Sequence, residues 1–251
     1  ENNPNIDHLI LFKDEFRKSK KALLKFLISI RKAKYDIVID AYGKLESNLV
    51  VGMSGAKTKI GWYKSYTNFV YSKTFIETSK PLTSAGLAIE NRMLLLTPFS
   101  SKKQLDNRPK IFLTEEEIAN GKAILEQHKI DFSKKIYMIG VLGSGKNKTY
   151  PFPFMAKVLD FIVAKTDATL LFNYMPSHLK EAQEIFHLCS PEIQKNIKID
   201  IIPGSIREFL SITYHCDALI GNEGGAVNMA KALFKPTFTI FSTWIIKEAW
   251  N

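Results

Sequence analysis

The stretch from Asp217 to Phe241 constrains the fold more than any other part of the sequence. It reads Asp-Ala-Leu-Ile-Gly-Asn-Glu-Gly-Gly-Ala-Val-Asn-Met-Ala-Lys-Ala-Leu-Phe-Lys-Pro-Thr-Phe-Thr-Ile-Phe. The pattern predicts a buried strand that ends at Ile220, a tight glycine turn over 222–225, a helix with an apolar stripe, and a second strand over 237–241. A Lys-Pro pair is a helix stop signal and separates this helix from the second strand.

The chemistry of the turn follows from its backbone. Gly224 and Gly225 can adopt positive φ, and they leave no side chain in the way of a ligand. The free N–H groups and the dipole of the helix N-terminus favour an anion there, typically a phosphate. A tight turn without any ligand is the alternative, and a lone Gly-Gly pair does not decide between the two.

Strands and helices alternate along the rest of the chain, which is typical of the α/β class. Residues 35–41 are apolar on both faces, as in a parallel sheet. A polar segment over 129–135 precedes a second βα series, so we predict two Rossmann-like, doubly wound domains, 1–130 and 131–251. The other predicted strands are 6–12, 57–61, 110–113, 136–142, 168–172 and 197–201, and the other predicted helices are 14–34, 85–97, 114–128, 177–189, 205–215 and two that begin near 47 and 151.

The composition restricts the class of protein and its partners. No apolar run in the 251 residues approaches the roughly 20 residues of a membrane-spanning helix. The formal net charge of +10 favours anionic partners such as nucleotides, phosphorylated glycolipids or a membrane surface, although a solvated basic surface needs no partner. A nucleic-acid role is less favoured, because no basic recognition helix or RNP-like motif is present. The two cysteines have no ligand-like spacing and indicate a reducing cytosol.

A second glycine-rich loop, Gly143-Ser-Gly-Lys-Asn-Lys-Thr149, follows the first strand of the second domain. Ser144, Lys146 and Lys148 can reach phosphate oxygens there. The carboxyl ends of parallel strands share one sheet edge, so this loop and the turn at 222–225 are expected to converge on one crevice. Together they predict a ligand that contains a diphosphate.

The same loop nearly matches a P-loop, which is the rival interpretation. Asn147 occupies the position of the Mg²⁺-binding hydroxyl and replaces it poorly. The P-loop also needs a helix directly after its lysine, whereas Pro151 and Pro153 intervene here. The P-loop interpretation is therefore the weaker one.

Two further features have more than one interpretation. Residues 62–85 interleave aromatic side chains with lysines, which suits either a loop packed on its domain or a grip on a sugar or an anionic headgroup. The histidines have no metal-ligand spacing, and surface or core positions are the default for all of them. His178 is the exception, because it follows a strand at the sheet edge where the glycine loops lie.

Four segments together resemble the landmarks of glycosyltransferase family 9, the heptosyltransferases of lipopolysaccharide core assembly, in that family's order. They are 35–40, 55–61, 140–151 and the fairly specific stretch 222–236. The resemblance implies the GT-B fold, in which two Rossmann-like domains flank an interdomain cleft. It also implies an inverting transfer without metal or cofactor, from an ADP-heptose donor held by the C-terminal domain to a phosphorylated glycolipid acceptor.

Residue by residue, the resemblance implies that Ser144 and Lys148 bind the donor phosphates, together with Gly224 and Gly225. The family's Asp-x-Gly-x-x-His turn maps onto residues that depart from it, because Glu replaces the Asp and Asn replaces the His. The acid that contacts the donor nucleoside in the family also has a different counterpart here. The three residues implied at the donor sugar and nucleoside are Glu223, Asn228 and His178.

The acceptor side is implied to lie in the N-terminal domain, where Lys44 and Lys64 are the basic candidates. The family's general base is expected in a segment before this chain begins, and its last helices after this chain ends, so the catalytic residue is unknown. The resemblance implies a cytoplasmic protein and is compatible with peripheral contact with the inner membrane. A basic protein of the same fold that binds a nucleotide or glycan without turnover is the alternative.

Overall fold

The computed structural model describes residues 2–83, 85–100, 107–243 and 245, and these form two compact units. The N-terminal unit contains the described residues between 6 and 107, and the C-terminal unit contains residues 2–5 and the described residues between 108 and 245. The division falls at 107/108 rather than at the predicted 130/131. The reason is that the helix Glu115–Gln127 packs against the helix Ile206–Tyr214 of the C-terminal unit.

The N-terminal unit is built on a parallel sheet of three described strands in the order β1-β2-β3. Ile39 lies beside Ile60 and Trp62 beside Phe75 in the register of this sheet. Ile60, Trp62 and Leu95 form its small apolar core. The elements are α1 Glu15–Lys18, α2 Lys20–Lys32, β1 Ile37–Ile39, α3 Leu45–Met53, β2 Thr58–Trp62, β3 Lys73–Phe75 and α4 Leu87–Leu94.

Three predictions for this unit were wrong in detail. Residues 6–12 form no strand in the described structure; instead Phe12 packs its ring against Phe16 and Phe26. The predicted helix 14–34 is two helices, because Ser19 is extended and its hydroxyl caps α2 by accepting from the Ala22 N–H at 3.2 Å. Strand β3 was not predicted, since its three residues lie inside the aromatic segment.

The C-terminal unit contains a five-stranded parallel sheet in the order β6-β5-β4-β7-β8. The predicted strand 110–113 is absent from it; the Ile111 N–H instead donates to the carbonyl of Ala232 at 3.0 Å. The elements are α5 Glu115–Gln127, β4 Ile136–Gly140, α6 Phe152–Thr166, β5 Thr169–Asn173, α7 Leu179–Leu188, α8 Pro191–Gln194, β6 Ile197–Lys198, α9 Ile206–Tyr214, β7 Ala218–Asn222, α10 Gly225–Ala232 and β8 Thr237–Ile240.

Both faces of this sheet are covered, as the doubly wound prediction requires. Successive residues of a strand point to opposite faces. Met138 belongs to an apolar cluster with residues of α5, α9 and α10, whereas its neighbour Ile139 belongs to a second cluster with residues of α6 and α7. Among the described residues no helix is both long enough and apolar enough to cross a membrane.

Candidate functional site

The candidate site lies at the carboxyl ends of β4 and β7, where the chain reverses its direction of travel across the sheet. From β4 the chain moves outward through β5 to β6, and then it returns to place β7 on the other side of β4. Gly140 and Gly221 are register partners at the ends of these two strands. Ligands of open α/β sheets bind at such a switch point. The structure therefore brings the two predicted glycine loops together.

The loop over 143–149 is closed by its own hydrogen bonds. The Thr149 hydroxyl accepts from the Gly143 N–H at 3.0 Å and donates to the Gly145 carbonyl at 2.9 Å. A Cβ on Gly143 would lie 2.1 Å from the carbonyl oxygen of Lys148, so only glycine fits there. Ser144 and Lys146 are exposed on this loop, and Lys148 is half-buried.

The turn at 222–225 has the predicted form in part. Gly224 has a φ of +151°, which disfavours any side chain, whereas Gly225 has no positive φ and begins helix α10. Both glycines are exposed, and a Cβ on either one would have no heavy atom within 4 Å. The N-terminus of α10 therefore has open space beside its two glycines, and the free N–H groups of a helix N-terminus favour an anion.

Glu223 and Asn228, which frame this turn, lie in different environments. Glu223 is only 8% exposed, and its Oε1 accepts from the Ser242 hydroxyl at 2.8 Å. Asn228 is exposed on the first turn of α10, where its N–H donates to the Gly224 carbonyl at 3.4 Å. The Glu223 carboxylate is thus fixed by a protein partner, while the Asn228 side chain lies on the surface.

A cavity of about 520 Å³ adjoins the first loop and is of the size that takes small-molecule ligands. Gly143, Gly145 and Lys146 line it from the loop, and His178 lines it from the segment that precedes α7. Ser144 and Lys148 are not among its lining residues. Three other side chains of the lining, Tyr150, Phe152 and Glu181, were not predicted from the sequence.

In the N-terminal unit, Lys44 and Lys64 lie in the loops that follow β1 and β2, at the carboxyl end of the sheet. The Lys64 Nζ donates to the carbonyl of Gly43 at 2.6 Å, so it ties the loop after β2 to the loop after β1. Lys44 is exposed, with its Nζ 5.0 Å from the centroid of the Tyr42 ring. Lys64 thus has a structural partner, and Lys44 carries its charge on the surface of the loop.

Asp40 and Glu46, the carboxylates nearest to this loop, both have protein partners. Asp40 is buried, and its Oδ1 accepts from the N–H groups of Tyr42 and Gly43, each at 2.8 Å. Glu46 pairs with Arg17 at 3.3 Å. Within the described residues, no group of three or more His, Cys, Asp and Glu side chains is placed to hold a metal ion.

Comparison with known proteins identifies the family. The model of glycosyltransferase family 9 (heptosyltransferase) matches residues 23–244, which is most of the chain. This chain belongs to glycosyltransferase family 9. A curated relative, lipopolysaccharide heptosyltransferase 1 of Campylobacter coli, is 27% identical over 252 residues, a match that covers 96% of this chain and 70% of that protein.

Solved structures agree with this family 9 assignment at the level of the fold. A family 9 glycosyltransferase from Veillonella parvula superposes with a TM-score of 0.81 at 17% identity, over 97% of this chain and 69% of that one. An E. coli heptosyltransferase with ADP-2-deoxy-2-fluoro heptose gives a TM-score of 0.61 at 16% identity, over 90% of this chain and 69% of that one. The fold is α/β of the GT-B type, and the protein is a glycosyltransferase, as the sequence predicted.

The N-terminal unit of this family 9 enzyme presents apolar side chains where its three strands end. Leu45, after β1, is 72% exposed, and Ile76, after β3, is 75% exposed. Tyr42 and Tyr63 lie on the same edge and are also exposed. The aromatic segment is packed on its domain in part, because Trp62 and Tyr71 are buried, while Tyr63, Tyr66 and Phe69 face solvent.

The charge of this family 9 chain is concentrated in the N-terminal unit. Residues 6–107 contain 18 lysines and arginines but only nine acidic residues, a formal charge of +9. Residues 1–5 and 108–245 contain 16 basic and 15 acidic residues, a formal charge of +1. The excess of positive charge is therefore separate from the unit that carries the two glycine loops.

Proposed function

We propose that this glycosyltransferase moves a heptose, or a related sugar, from an ADP-sugar to an acceptor of the lipopolysaccharide core, with inversion and without a metal ion. The observation that carries the proposal is the convergence of two glycine loops on the adjacent strands β4 and β7, beside a cavity of about 520 Å³, in a family 9 chain. The names of the relatives supply the heptose and the lipopolysaccharide.

In this proposal the donor diphosphate lies between the two loops. The N–H groups of Gly224, just before α10, and of Gly225, its first residue, point at its oxygens, and the helix dipole favours their negative charge. Lys148 and Ser144 of the loop after β4 add a cation and a hydroxyl. As the sugar departs, charge grows on the diphosphate, and donors already in place stabilise that charge without reorganising.

The nucleoside of the donor occupies the cavity. Tyr150 and Phe152 supply aromatic surface on which a planar base can rest, and both line the cavity. Glu181 lies one helical turn after His178 and lines the same cavity, so its carboxylate can accept hydrogen bonds from ribose hydroxyls. In the family an acid contacts the donor nucleoside, and His178 occupies that acid's position here. Glu181 would supply the missing carboxylate from the same cavity.

The transfer is a single displacement. The acceptor hydroxyl oxygen bonds to the anomeric carbon on the face opposite the diphosphate, the bond from that carbon to the diphosphate oxygen breaks, and ADP leaves with the electron pair. The hydroxyl proton passes to a carboxylate base. We do not assign that base to Asp40, because its carboxylate already accepts three hydrogen bonds, two from backbone N–H groups and one from Tyr71.

The acceptor is placed on the N-terminal unit. Its formal charge of +9 and the exposed Lys44 favour a phosphorylated substrate, while Leu45 and Ile76 favour one with an apolar portion. The same combination suits peripheral contact with an anionic membrane at the cytoplasmic face. The expected result of Lys44→Ala is a raised acceptor KM with little change in kcat, and an unchanged KM would remove Lys44 from the acceptor site.

The donor half of the proposal is tested by calorimetric titration with ADP, UDP and GDP. We expect selective binding of ADP, weakened about tenfold or more by Lys148→Ala, or roughly 1.4 kcal/mol. Lys165→Ala, which changes an exposed lysine in the last turn of α6, is the matched control and should bind ADP like the wild type. Tighter binding of UDP or GDP, or no binding of any of the three, would contradict an ADP-sugar donor.

A further inference from the structure

Asn222 is the last residue of β7, and its side chain reaches across to both ends of the neighbouring loop. It is 4% exposed. Its Nδ2 donates to the carbonyls of Gly140 at 2.9 Å and Val141 at 3.0 Å, where the chain enters the loop. Its Oδ1 accepts from the N–H of Tyr150 at 2.6 Å, where the chain leaves the loop.

Only an amide satisfies this environment. The two carbonyl oxygens can only accept and the Tyr150 N–H can only donate, which fixes the orientation of the amide and uses both of its N–H donors. A carboxylate has no donor to offer, and an alanine removes the side-chain partner of all three backbone groups. No local sequence pattern indicates this role, because the partners of Asn222 lie 72 to 82 residues away.

We propose that Asn222 is a positioning residue that holds the loop 143–149 and the turn 222–225 in one fixed arrangement, so that both loops face the same diphosphate. The inference deepens the proposed function and rests on it. Asn222 joins the two stems of one loop and itself begins the other. The hydrogen bonds of the Thr149 hydroxyl fix the conformation of the loop itself. Asn222 fixes the position of that loop at the edge of the sheet.

Hydrogen exchange tests the positioning without any ligand. In Asn222→Ala we expect the amides from Gly143 to Tyr150 to exchange about tenfold faster or more than in the wild type, a change that reports local opening. Asn196→Ala is the matched control, because the Asn196 Nδ2 also donates to a backbone carbonyl, that of Ala168 at 3.1 Å, at the opposite edge of the same sheet. It should leave the exchange of the 143–150 segment unchanged.

Titration with ADP tests the consequence for binding, at a temperature well below the unfolding transition of each variant. We expect Asn222→Ala to weaken ADP binding about tenfold or more. Asn196→Ala should stay within about twofold of the wild type even if its Tm falls, because loss of stability alone does not move the affinity of a folded site.

The pH dependence of ADP binding by Asn222→Asp distinguishes a positioning role from a merely structural one. At pH 8 its carboxylate faces two carbonyl oxygens, whereas at pH 5.5 a buried, protonated carboxyl can donate to one of them. The affinity of Asn222→Asp relative to the wild type at the same pH should therefore recover by about threefold or more between pH 8 and pH 5.5.

The outcomes separate the two proposals. Unchanged exchange of the 143–150 segment in both Asn222 variants would overturn the positioning role, whatever ADP does. Accelerated exchange with unchanged ADP affinity would overturn its importance for binding. A wild-type protein that binds no ADP, while the exchange of Asn222→Ala is accelerated, would contradict the proposed donor and leave the positioning of the loop supported.

Discussion

The hydroxyl of Tyr71 donates a hydrogen bond to Oδ2 of Asp40 at 2.7 Å, in the interior of the N-terminal unit. The same hydroxyl contacts Oδ1 of Asn48 at 2.5 Å. The other oxygen of Asp40 holds the N–H groups of the loop that carries Lys44. Tyr71 therefore stabilises, through Asp40, the loop that carries Lys44, the residue proposed to bind the acceptor.

Replacement of Tyr71 by phenylalanine should lower the free energy of unfolding by about 1–3 kcal/mol, because it removes the buried hydroxyl that donates to Asp40 and contacts Asn48. Urea denaturation followed by circular dichroism measures the change. Tyr35→Phe, at an exposed tyrosine, is the control and should stay within about 0.5 kcal/mol of the wild type. Equal midpoints for the two variants would show that the Tyr71 hydroxyl contributes nothing to stability.

The ion pair between Glu117 and Arg207 makes the C-terminal unit sensitive to acid. Arg207 Nε donates to Glu117 Oε1 at 2.6 Å, and this contact together with the Thr114 N–H lowers the pKa of Glu117 to about 2. A lowered pKa in the folded state means that the stabilisation is complete above about pH 4.5 and is lost as the pH falls towards 2. Glu117→Gln should cost about 1 kcal/mol at pH 7 and almost nothing near pH 2.

Thermal unfolding of wild type and Glu117→Gln from pH 7 to pH 2 measures this difference. Glu126→Gln is the control, since Glu126 pairs with Lys122 at 3.4 Å on the exposed face of the same helix. The stability of Glu126→Gln should differ little from that of the wild type at every pH. A constant gap between wild type and Glu117→Gln across the whole range would mean that the carboxylate charge is not what stabilises the contact.

Much of this architecture was predicted from patterns within single segments. Contacts between segments that lie far apart in the sequence were not predicted. A helix that starts at residue 114 was predicted, and the Thr114 hydroxyl caps α5 by accepting from the Glu117 N–H at 3.1 Å. No local pattern indicates that Arg207 is the partner of Glu117, because the two residues lie 90 positions apart in the sequence. For the same reason the local pattern of α5 does not indicate that this helix packs on α9.

The candidate site shows the same division between local and distant information. The two glycine loops were predicted to share one sheet edge, because each follows a strand of one parallel sheet. The contributions of Asn222, Glu181 and Tyr150 were missed, since each depends on which strands and helices become neighbours. At residues 6–12 a strand was predicted that does not form. Their apolar composition suits a strand, but it does not guarantee a neighbouring strand to pair with.

The glycines of the loop after β4 should tolerate substitution very differently. Gly143→Ala places a methyl group 2.1 Å from the Lys148 carbonyl, so the loop has to move, whereas a Cβ on Gly145 meets no atom within 4 Å. We expect Gly143→Ala to lower the free energy of unfolding by about 1–3 kcal/mol and Gly145→Ala to change it by less than about 0.5 kcal/mol. Comparable losses in urea denaturation would show that the closed form of the loop is not maintained.

Gly225 allows the effect of a ligand to be separated from the effect of the fold. It begins α10 without a positive φ, and a Cβ there meets no atom of the protein within 4 Å, so neither backbone nor packing requires glycine. Gly225→Ala should therefore leave the free protein as stable as the wild type or more stable by up to about 1 kcal/mol. If the diphosphate approaches the first turn of α10, the new methyl group should nevertheless weaken ADP binding about tenfold. Thermal unfolding and calorimetric titration of one preparation measure both quantities, so that a loss of affinity cannot be attributed to unfolding. Unchanged affinity in the stable variant would place the diphosphate away from Gly225 and would leave this glycine without an explanation in either the fold or the ligand.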